Sequence, residues 1–187
     1  MFLKLRKVKK INGYVVSPDA NLKRAELANT QLQGLNLSGA NLFAAKLSSS
    51  DLSNVNLSNA DLSNAKLDSA RLNYVILKNA KLEGANLSGA QLNHAVLTGA
   101  RISRVILRNA NLRNADLKNA DLRGTDLENA NLSQANLSDC DLRGSDLQRA
   151  NLSGANLSGA KLDGANLDGA NLDKIQSNET TVLPDSF

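Results

Sequence analysis

The sequence predicts an all-β fold in which the chain coils as a solenoid, and two observations lead to this prediction. Residues 20–174 form 31 consecutive five-residue units without insertion or deletion, typified by ANLSG at Ala155–Gly159. Glycine and asparagine concentrate at the fifth position of the unit, whereas Pro18 and Pro184 lie outside the array. Strict self-similarity at a fixed period is typical of a repeat architecture, in which each unit buries its apolar face against its neighbours.

The five-residue period itself requires a corner after every unit. The central residue of the unit is leucine except at Ile102, and the first residue is usually alanine. In an α-helix five residues turn by about 500°, which would spread the leucines around every side. In a straight strand an odd repeat would send successive leucines to opposite faces. We therefore expect the first and third residues to point inward and the second outward, while the last two turn the chain. Glycine and asparagine suit the fifth position because they accept positive φ at the second central residue of a type II turn.

The exceptions to alanine at the first position indicate how many units make one coil. They are Thr30, Leu35, Ser50, Val55, Val75, Val105, Thr125, Cys140 and Ser145. Separations of 20 residues are more frequent among them than separations of 15 or 25. A larger residue in one coil changes the space available in the next, so such exceptions should stack in columns. The sequence therefore favours four units per coil.

The phrase A(D/N)LXX over residues 20–174 resembles the repeat of the pentapeptide repeat family. The resemblance implies a right-handed quadrilateral β-helix with an inward leucine ladder and a small inward residue at the first position. With 31 units the solenoid should have about eight coils, and a spacing of about 4.8 Å between stacked strands makes it about 37 Å long. The resemblance is a poor guide to function, because the family includes many members without known activity.

The segments that flank the array are predicted to cap its ends, which would otherwise expose unpaired strand edges. Residues 1–19 form the predicted N-terminal cap, with a β-hairpin at Asn12-Gly13 between two β-prone runs. Residues 175–187 form the predicted C-terminal cap. Its large apolar residues are expected to fold across the last coil: Val182, Leu183 and Phe187.

Composition excludes several classes of site. The chain has 187 residues with one cysteine, one histidine and no tryptophan, which excludes an intramolecular disulfide and leaves too few ligands for a Cys/His metal site. There is no run of 18 apolar residues and no apolar run after the basic start, so we expect neither a membrane span nor a signal peptide. The single cysteine also fits a reducing compartment. A cytoplasmic location is therefore expected.

No catalytic set is expected either. His94 lies at an outward corner without triad partners, and carboxylates such as Asp121 and Asp141 are ordinary second-position residues on a ladder without a cleft. Cys140 is an inward first-position residue, which predicts a small buried hydrophobe and not a redox thiol. The sequence thus predicts a protein that is not an enzyme and that needs no cofactor or metal.

The repeat is broken on two successive coils, and these breaks supply the candidate partner-binding residues. Tyr74 and His94 replace the usual corner glycine or asparagine, while Ile76 and Val96 replace the usual polar residue on the adjoining face. With four units per coil these four residues share one edge, and Tyr74 should contact His94. Ile106, the other apolar residue at an outward second position, completes the candidate set. Exposed aromatic and aliphatic side chains favour an interface; the alternative is repeat drift towards residues of high β-propensity.

The charge distribution gives a second candidate feature, a basic belt around one coil. The belt consists of Arg101, Arg104, Arg108, Arg113 and Lys118. Because these cations point to all four faces, whereas nucleic-acid binding favours one coherent stripe with interleaved aromatic residues, nucleic acid is not an expected partner. The remaining asymmetry, a basic first part and an acidic second part, is typical of a solvated surface but also suits end-to-end docking. We expect a monomer or an end-to-end homodimer.

Two functions from different classes are compatible with these observations. The first is a non-enzymatic protein-binding or scaffold role, in which one edge of a rigid rod holds a protein partner of unknown identity. The second follows from the resemblance, since some pentapeptide repeat proteins resemble B-DNA and occupy the DNA site of gyrase; it is DNA-mimicking modulation of gyrase or another topoisomerase. A mimic needs a dominant anionic surface, whereas this chain has a formal net charge of +4. The sequence therefore favours the protein-binding role.

Overall fold

The chain folds as a solenoid of stacked β-bridges. The structure, a computed structural model, describes residues 9–184, so residues 1–8 and 185–187 of the predicted caps lie outside the described residues. Regular pairing occurs as single-residue parallel bridges at the second position of the units. From Asn21 to Asn156 each bridging residue pairs with the residue 20 positions further along. Four units therefore separate stacked positions, and equivalent side chains form columns along the solenoid.

Backbone hydrogen bonds connect the coils at three of the five positions. Leu92 N–H donates to the Asn111 carbonyl oxygen at 2.7 Å, and His94 N–H donates to that of Arg113 at 3.0 Å. The second residue of a unit donates in the other direction, to the coil before. The first residue closes the corner, as Ala95 N–H does by donating to the Leu92 carbonyl oxygen at 3.0 Å. The fifth residue of every unit has positive φ, so the corners have the features of type II turns.

The fourth residue of the unit has no partner in this ladder, and the side chain of the second residue supplies one. Asn86 Oδ1, for example, accepts the N–H of Ser88 at 3.0 Å. The same bond is present in every unit whose second residue is Asn or Asp. This local Asx bond explains why those two residues dominate the second position. It also leaves few backbone N–H groups that a proline could replace without loss.

The core is a ladder of aliphatic side chains along the axis. The third-position residues from Leu22 to Leu162, Ile102 included, are at most 2% exposed, which confirms the predicted inward orientation. First-position alanines fill the space between them. Where the first position is Ser or Thr, the buried hydroxyl donates to the carbonyl oxygen of the leucine three residues before, as Thr125 does to Leu122 at 2.7 Å. Polar residues can therefore replace alanine without leaving an unsatisfied group.

A β-hairpin precedes the solenoid and packs against its first coil. Strand β1 (Lys10–Ile11) pairs antiparallel with β2 (Tyr14–Val15). The two-residue turn between them, Asn12-Gly13, has positive φ at both positions, 49° and 83°, as a type I′ turn requires. The Asn12 side chain donates to the carbonyl oxygen of Glu26 at 3.0 Å, and the Tyr14 hydroxyl accepts the Glu26 N–H at 3.4 Å. Side chains of the hairpin thus satisfy a backbone edge of the first coil.

The described C-terminal residues extend the ladder. Val182 bridges Lys161, which precedes it by 21 residues, so the last coil contains one extra residue. The side chains of Val182 and Leu183 are 41% and 40% exposed, whereas Pro184 is buried, so the cap over the last coil stays a prediction. The carbonyl of Val182 accepts the Leu162 N–H at 2.8 Å, and this pairing places the Val182 side chain at an outward position. Phe187 lies outside the described residues.

Among residues 9–184 no helix is long and apolar enough to cross a membrane.

Candidate functional site

Tyr74 and His94 form a stacked pair on one edge of the solenoid. Their rings are nearly parallel, with 2° between the planes and 4.9 Å between the centroids. Both residues occupy the fifth position of a unit and have φ of 58° and 57°. Tyr74 is 55% exposed. The expected contact between these side chains is therefore present, and the pair presents an aromatic surface to solvent.

The corner conformation makes this pair costly for folding. A left-handed φ costs a residue other than glycine about 1 kcal/mol, and asparagine lowers that cost by local hydrogen bonding. Neither a tyrosine nor a histidine ring can form such a bond to its own corner. The stacking of the two rings returns about 0.5–1.5 kcal/mol, less than the roughly 2 kcal/mol that two such corners cost, so the pair is a net cost to folding. A gain in folding free energy therefore does not explain the pair.

Ile76 and Val96 lie beside the stack on the adjoining face. They form a parallel bridge with each other, and Ile76 is 40% exposed while Val96 is half-buried. Neither side chain can accept the N–H of the fourth residue in its unit, as Asn or Asp does elsewhere. We refer to Tyr74, Ile76, His94 and Val96 as the aromatic edge.

Ile106 does not belong to the aromatic edge. It bridges Asn86 above and Asp126 below, whereas Val96 bridges Ile76 and Asp116. Ten residues, half a coil, separate Ile106 from Val96, which places Ile106 on the face opposite to the aromatic edge. Ile106 is 40% exposed and thus forms an isolated apolar surface on that face.

Three cations surround the aromatic edge. Arg71 is the second residue of the unit that ends in Tyr74, Lys78 is the fourth residue of the unit that contains Ile76, and the carbonyl of Arg113 accepts the His94 N–H. Arg71 lies 3.7 Å from an Asp51 carboxylate oxygen. Among the described residues, Lys78 and Arg113 form no ion pair within 4.0 Å. The edge therefore combines an apolar centre with a basic surround.

The basic belt is largely neutralised by the neighbouring coils. Arg101 pairs with Glu83 of the coil before it at 2.5 Å, and Lys118 lies 3.9 Å from Asp139 of the coil after it. Arg108 contacts both Asp126 and Glu128. Within residues 9–184 only Arg104 and Arg113 of the belt have no carboxylate within 4.0 Å. The structure thus contains two separate free cations of the belt and no continuous cationic ring.

Part of the acidic second half of the chain is paired in the same way, whereas Asp146, Asp163, Asp168 and Asp173 have no cation within 4.0 Å among the described residues. Arg123 donates two hydrogen bonds to Asp121, both of 2.8 Å, and Arg143 donates two to Asp141, of 2.8 and 2.6 Å. Arg123 also lies 3.7 Å from Asp141. The hydrogen bond from Arg123 lowers the pKa of Asp121 from its ordinary value, and that from Arg143 lowers the pKa of Asp141. The predicted column of carboxylates is therefore an alternating ladder of charges.

The remaining sequence-predicted residue, Cys140, is buried as expected. It is 1% exposed, and its thiol donates to the Leu117 carbonyl oxygen at 2.9 Å. Burial raises the pKa of the thiol to about 12, so the reactive thiolate is negligible at neutral pH. In the described part of the chain no three His, Cys, Asp or Glu side chains come close enough to hold a metal ion.

Sequence reasoning missed one surface feature, a shallow depression of about 390 Å³ at a corner of the solenoid. It is lined by Ser63, Asn64, Glu83, Gly84, Ser103 and Arg104. The signal that could have found it is Ile102, the only unit centre that is not leucine.

The repeat and its inward ladder agree with the comparison with known families. A family model of pentapeptide repeats matches residues 20–59 and 135–173, and a model of a pentapeptide repeat region matches residues 70–147. The chain belongs to the pentapeptide repeat family. Comparison with curated proteins by sequence gave no match.

Solved structures of other pentapeptide repeat proteins are similar to this chain. HetL, a protein of the cyanobacterium Nostoc sp. strain PCC 7120 involved in heterocyst differentiation regulation, is 32% identical with a TM-score of 0.51, over 85% of this chain and 87% of HetL. Rfr23 of the cyanobacterium Cyanothece 51142 is 39% identical over 58% of this chain and 63% of its own, with a TM-score of 0.31. QnrB1, a plasmid-mediated fluoroquinolone resistance protein, is 18% identical over 82% of this chain and 88% of its own, with a TM-score of 0.47.

Proposed function

We propose that this pentapeptide repeat protein is a non-enzymatic protein-binding or scaffold solenoid whose partner site is the aromatic edge. The observation that carries the proposal is the exposed Tyr74–His94 stack beside the Ile76–Val96 pair. Aromatic residues are enriched at protein interfaces, and the centre of an interface is depleted of charge. The four residues forgo favourable corner conformations and two Asx bonds, so a requirement other than folding accounts for them.

The charges around the aromatic edge favour one kind of partner. Arg71, Lys78 and Arg113 form a basic rim, and two of the three have no ion pair among the described residues. Complementary charge at a rim raises the association rate and disfavours wrong partners. The expected partner is therefore a protein segment with an apolar anchor flanked by Asp or Glu.

We also infer the finer features of the solenoid from the family resemblance. The coil is right-handed and quadrilateral with about eight turns, and residues 1–19 and 175–187 act as its caps. The protein works in the cytoplasm, as a monomer or as an end-to-end homodimer.

DNA-mimicking modulation of gyrase or another topoisomerase is the second proposal, and the charge pattern disfavours it. A mimic must present many free anionic groups in place of phosphates. Here Asp121 and Asp141 are held by arginines, as are Asp126 and Glu128. We expect no inhibition of gyrase supercoiling. Inhibition that weakens in the Asp126→Asn/Asp146→Asn variant would make the mimic the better proposal.

The partner-binding proposal is tested by restoring the repeat at the aromatic edge. The restored variant carries Tyr74→Asn, Ile76→Asn, His94→Gly and Val96→Asn, and the matched control is Ile106→Asn, which removes an apolar side chain from the opposite face. Partners captured by crosslinking from source lysate are identified, produced separately and titrated against all three proteins. We expect the restored variant to fold and to bind at least about tenfold more weakly, because apolar anchors carry most of the binding energy. Equal affinity of the restored variant and the wild type would exclude the aromatic edge as the site.

A further inference from the structure

One corner of the backbone ladder is open. From Arg24 to Gly154 the fifth residue of each unit donates its N–H to the carbonyl of the fourth residue one coil further on, with the single exception of Gly84. Along the same column of corners, Asn64 N–H donates to the Glu83 carbonyl oxygen and Arg104 N–H to that of Arg123, both at 3.0 Å. Among the described residues the Gly84 N–H has no acceptor. A backbone donor without a partner indicates a place where water or a ligand binds.

Two β-branched residues account for the opening. Ile102 replaces the usual leucine immediately before the corner and Val105 replaces the usual alanine immediately after it. The corner bond from Val105 N–H to the Ile102 carbonyl oxygen is 3.3 Å, whereas the bond one coil earlier, from Ala85 to Leu82, is 2.8 Å. Because β-branched side chains are restricted at χ1, the core accommodates both by stretching this corner. Stretching alone does not break a ladder bond, since the corner bond from Cys140 N–H to the Leu137 carbonyl oxygen is also 3.3 Å and the bond from Asn119 to Ser138 is intact at 3.1 Å. The opening at Gly84 therefore requires the two β-branched residues together.

The surface over this opening carries unused hydrogen-bond donors. The depression of about 390 Å³ is lined by Gly84, Ser103 and Arg104, by Asn64, and by Ser63, whose hydroxyl already donates to a Glu83 carboxylate oxygen at 3.5 Å. Arg104 has no carboxylate within 4.0 Å in the described part of the chain. Glu83 also lines the depression, but its carboxylate is held by Arg101 at 2.5 Å.

We propose that the depression at Gly84 and Arg104 binds a small anionic group, either a phosphate or a carboxylate. An arginine fork matches both groups and can hold two of their oxygens, while the Gly84 N–H offers the backbone donor that the ladder leaves free. Lys81 and Arg101 on the adjoining face balance Asp61 and Glu83, so the net positive charge of the site comes from Arg104. Half a coil separates this site from the Tyr74–His94 corner, so it is independent of the aromatic edge.

Hydrogen exchange of the Gly84 amide in the full-length protein tests the opening itself. We expect this amide to exchange much faster than those of Asn64 and Gly124, which occupy equivalent corners of the same column with intact bonds of 3.0 Å. Equal protection of the three amides would show that the ladder is closed at Gly84 and would overturn the proposal.

The ligand is tested by titrating inorganic phosphate and acetate at constant ionic strength while the amide resonances are followed. We expect a saturable shift of the Gly84 resonance with at least one of the two anions, and the arm that saturates first identifies the preferred group. Arg104→Asn keeps a residue suited to the corner and should weaken the response about tenfold, since the bond to a charged group is lost. Arg24→Asn, the same change four coils earlier in the same column, should leave it unaltered.

The Ile102→Leu variant distinguishes the contribution of the free Gly84 N–H to anion binding from that of the Arg104 charge. The variant keeps every polar group of the depression, and leucine is the residue that the other coils use. We expect it to protect the Gly84 amide and to abolish the anion response. A response that persists in Ile102→Leu, or one of unchanged strength in Arg104→Asn, would reduce the effect to screening by salt and would overturn the site.

Discussion

At the scale of single residues, the position within the five-letter phrase decides the environment of a side chain. Leu97, at a third position, is 2% exposed in the aliphatic ladder. Asn131, at a second position, faces outward and accepts the Ser133 N–H at 3.0 Å. An aspartate introduced at each of these two positions should therefore have very different effects on stability.

Leu97→Asp should prevent folding or lower the free energy of unfolding by at least about 4 kcal/mol, because it buries a carboxylate without a partner. Asn131→Asp is the control, since an aspartate oxygen accepts the same bond, as Asp51 does from Ser53 at 3.0 Å. We expect its unfolding free energy to change by less than about 0.5 kcal/mol. Urea titration measures both, and similar stabilities would contradict the inward and outward assignments.

The paired carboxylates Asp121 and Asp141 should make the protein less stable in acid. Their pKa values are lowered in the folded state, so their contribution is present above the ordinary value of 3.8 and is lost as the pH falls below it. The double variant Asp121→Asn/Asp141→Asn retains the Asx acceptors and removes the charges. At pH 7 it should lose at most about 1 kcal/mol, since partly exposed pairs contribute little.

Urea midpoints at pH 7 and pH 3 measure this effect. We expect a smaller drop between the two pH values in the double variant than in the wild type. An identical drop would show that other groups cause the acid sensitivity.

At the scale of the five-residue element, the corner depends on one bond that the backbone cannot make by itself. Within its own unit the fourth N–H finds an acceptor where the second residue is Asn or Asp; at Asn93, which follows Gln91, the acceptor is instead Asn73 Oδ1 of the coil before, at 3.2 Å. Larger first-position residues stretch the corner as well: the bond that closes it is 3.2 Å at Val75 and 3.3 Å at Val105, against 2.9 to 3.0 Å at Ala45 and Ala95. A unit therefore tolerates exceptions at a small and local cost.

Two single substitutions at stacked residues of one column, Ile106→Asn and Asn86→Ile, test how much the Asx bond contributes to the free energy of unfolding. Ile106→Asn gives the Arg108 N–H an acceptor and should raise the free energy of unfolding by about 0.5–1.5 kcal/mol. Asn86→Ile removes the acceptor of the Ser88 N–H and should lower it by a similar amount. Urea titration of both variants measures the change, and two values near zero would exclude the Asx bond as the reason for Asn and Asp at this position.

At the scale of the whole molecule, the columns decide which side chains meet. Tyr74 lies on His94 because four units separate them. In the core, by contrast, all units share the same inward pattern, so one unit can take the place of another. Removing one unit should therefore preserve the solenoid and shift every column after it by one corner.

Two deletions of the same pentapeptide, ANLSG, test this. Deleting Ala85–Gly89 leaves three units between Tyr74 and His94, so the stack should be lost; deleting Ala150–Gly154 should leave it intact. Both proteins should fold with similar unfolding free energies, because each loses one equivalent unit. Nuclear Overhauser contacts between the two rings report the stack, and contacts that persist in the first deletion would contradict the column assignment.

The sequence alone determined the features that one unit encodes within its own five residues. The inward leucine, the corner at the fifth residue and the Asn12-Gly13 hairpin follow from turn chemistry and from the burial of apolar side chains, which act over a few bonds. The expected contact of Tyr74 with His94 also followed, because a strict period turns spacing along the chain into position in space.

Tertiary structure decided what depends on contacts between coils. Val182 is part of the ladder because one additional residue brings its backbone into register with Lys161. The local sequence pattern does not determine whether such a residue buries its side chain or pairs its backbone with the coil before. The N–H of Gly84 lacks the ladder bond that the other corners of its column make, and no property of Gly84 itself indicates it. Whether a carboxylate forms an ion pair depends on which arginines the stacking of coils brings within reach. The sequence gives the net charge of a segment, whereas only the fold shows which charged side chains are adjacent.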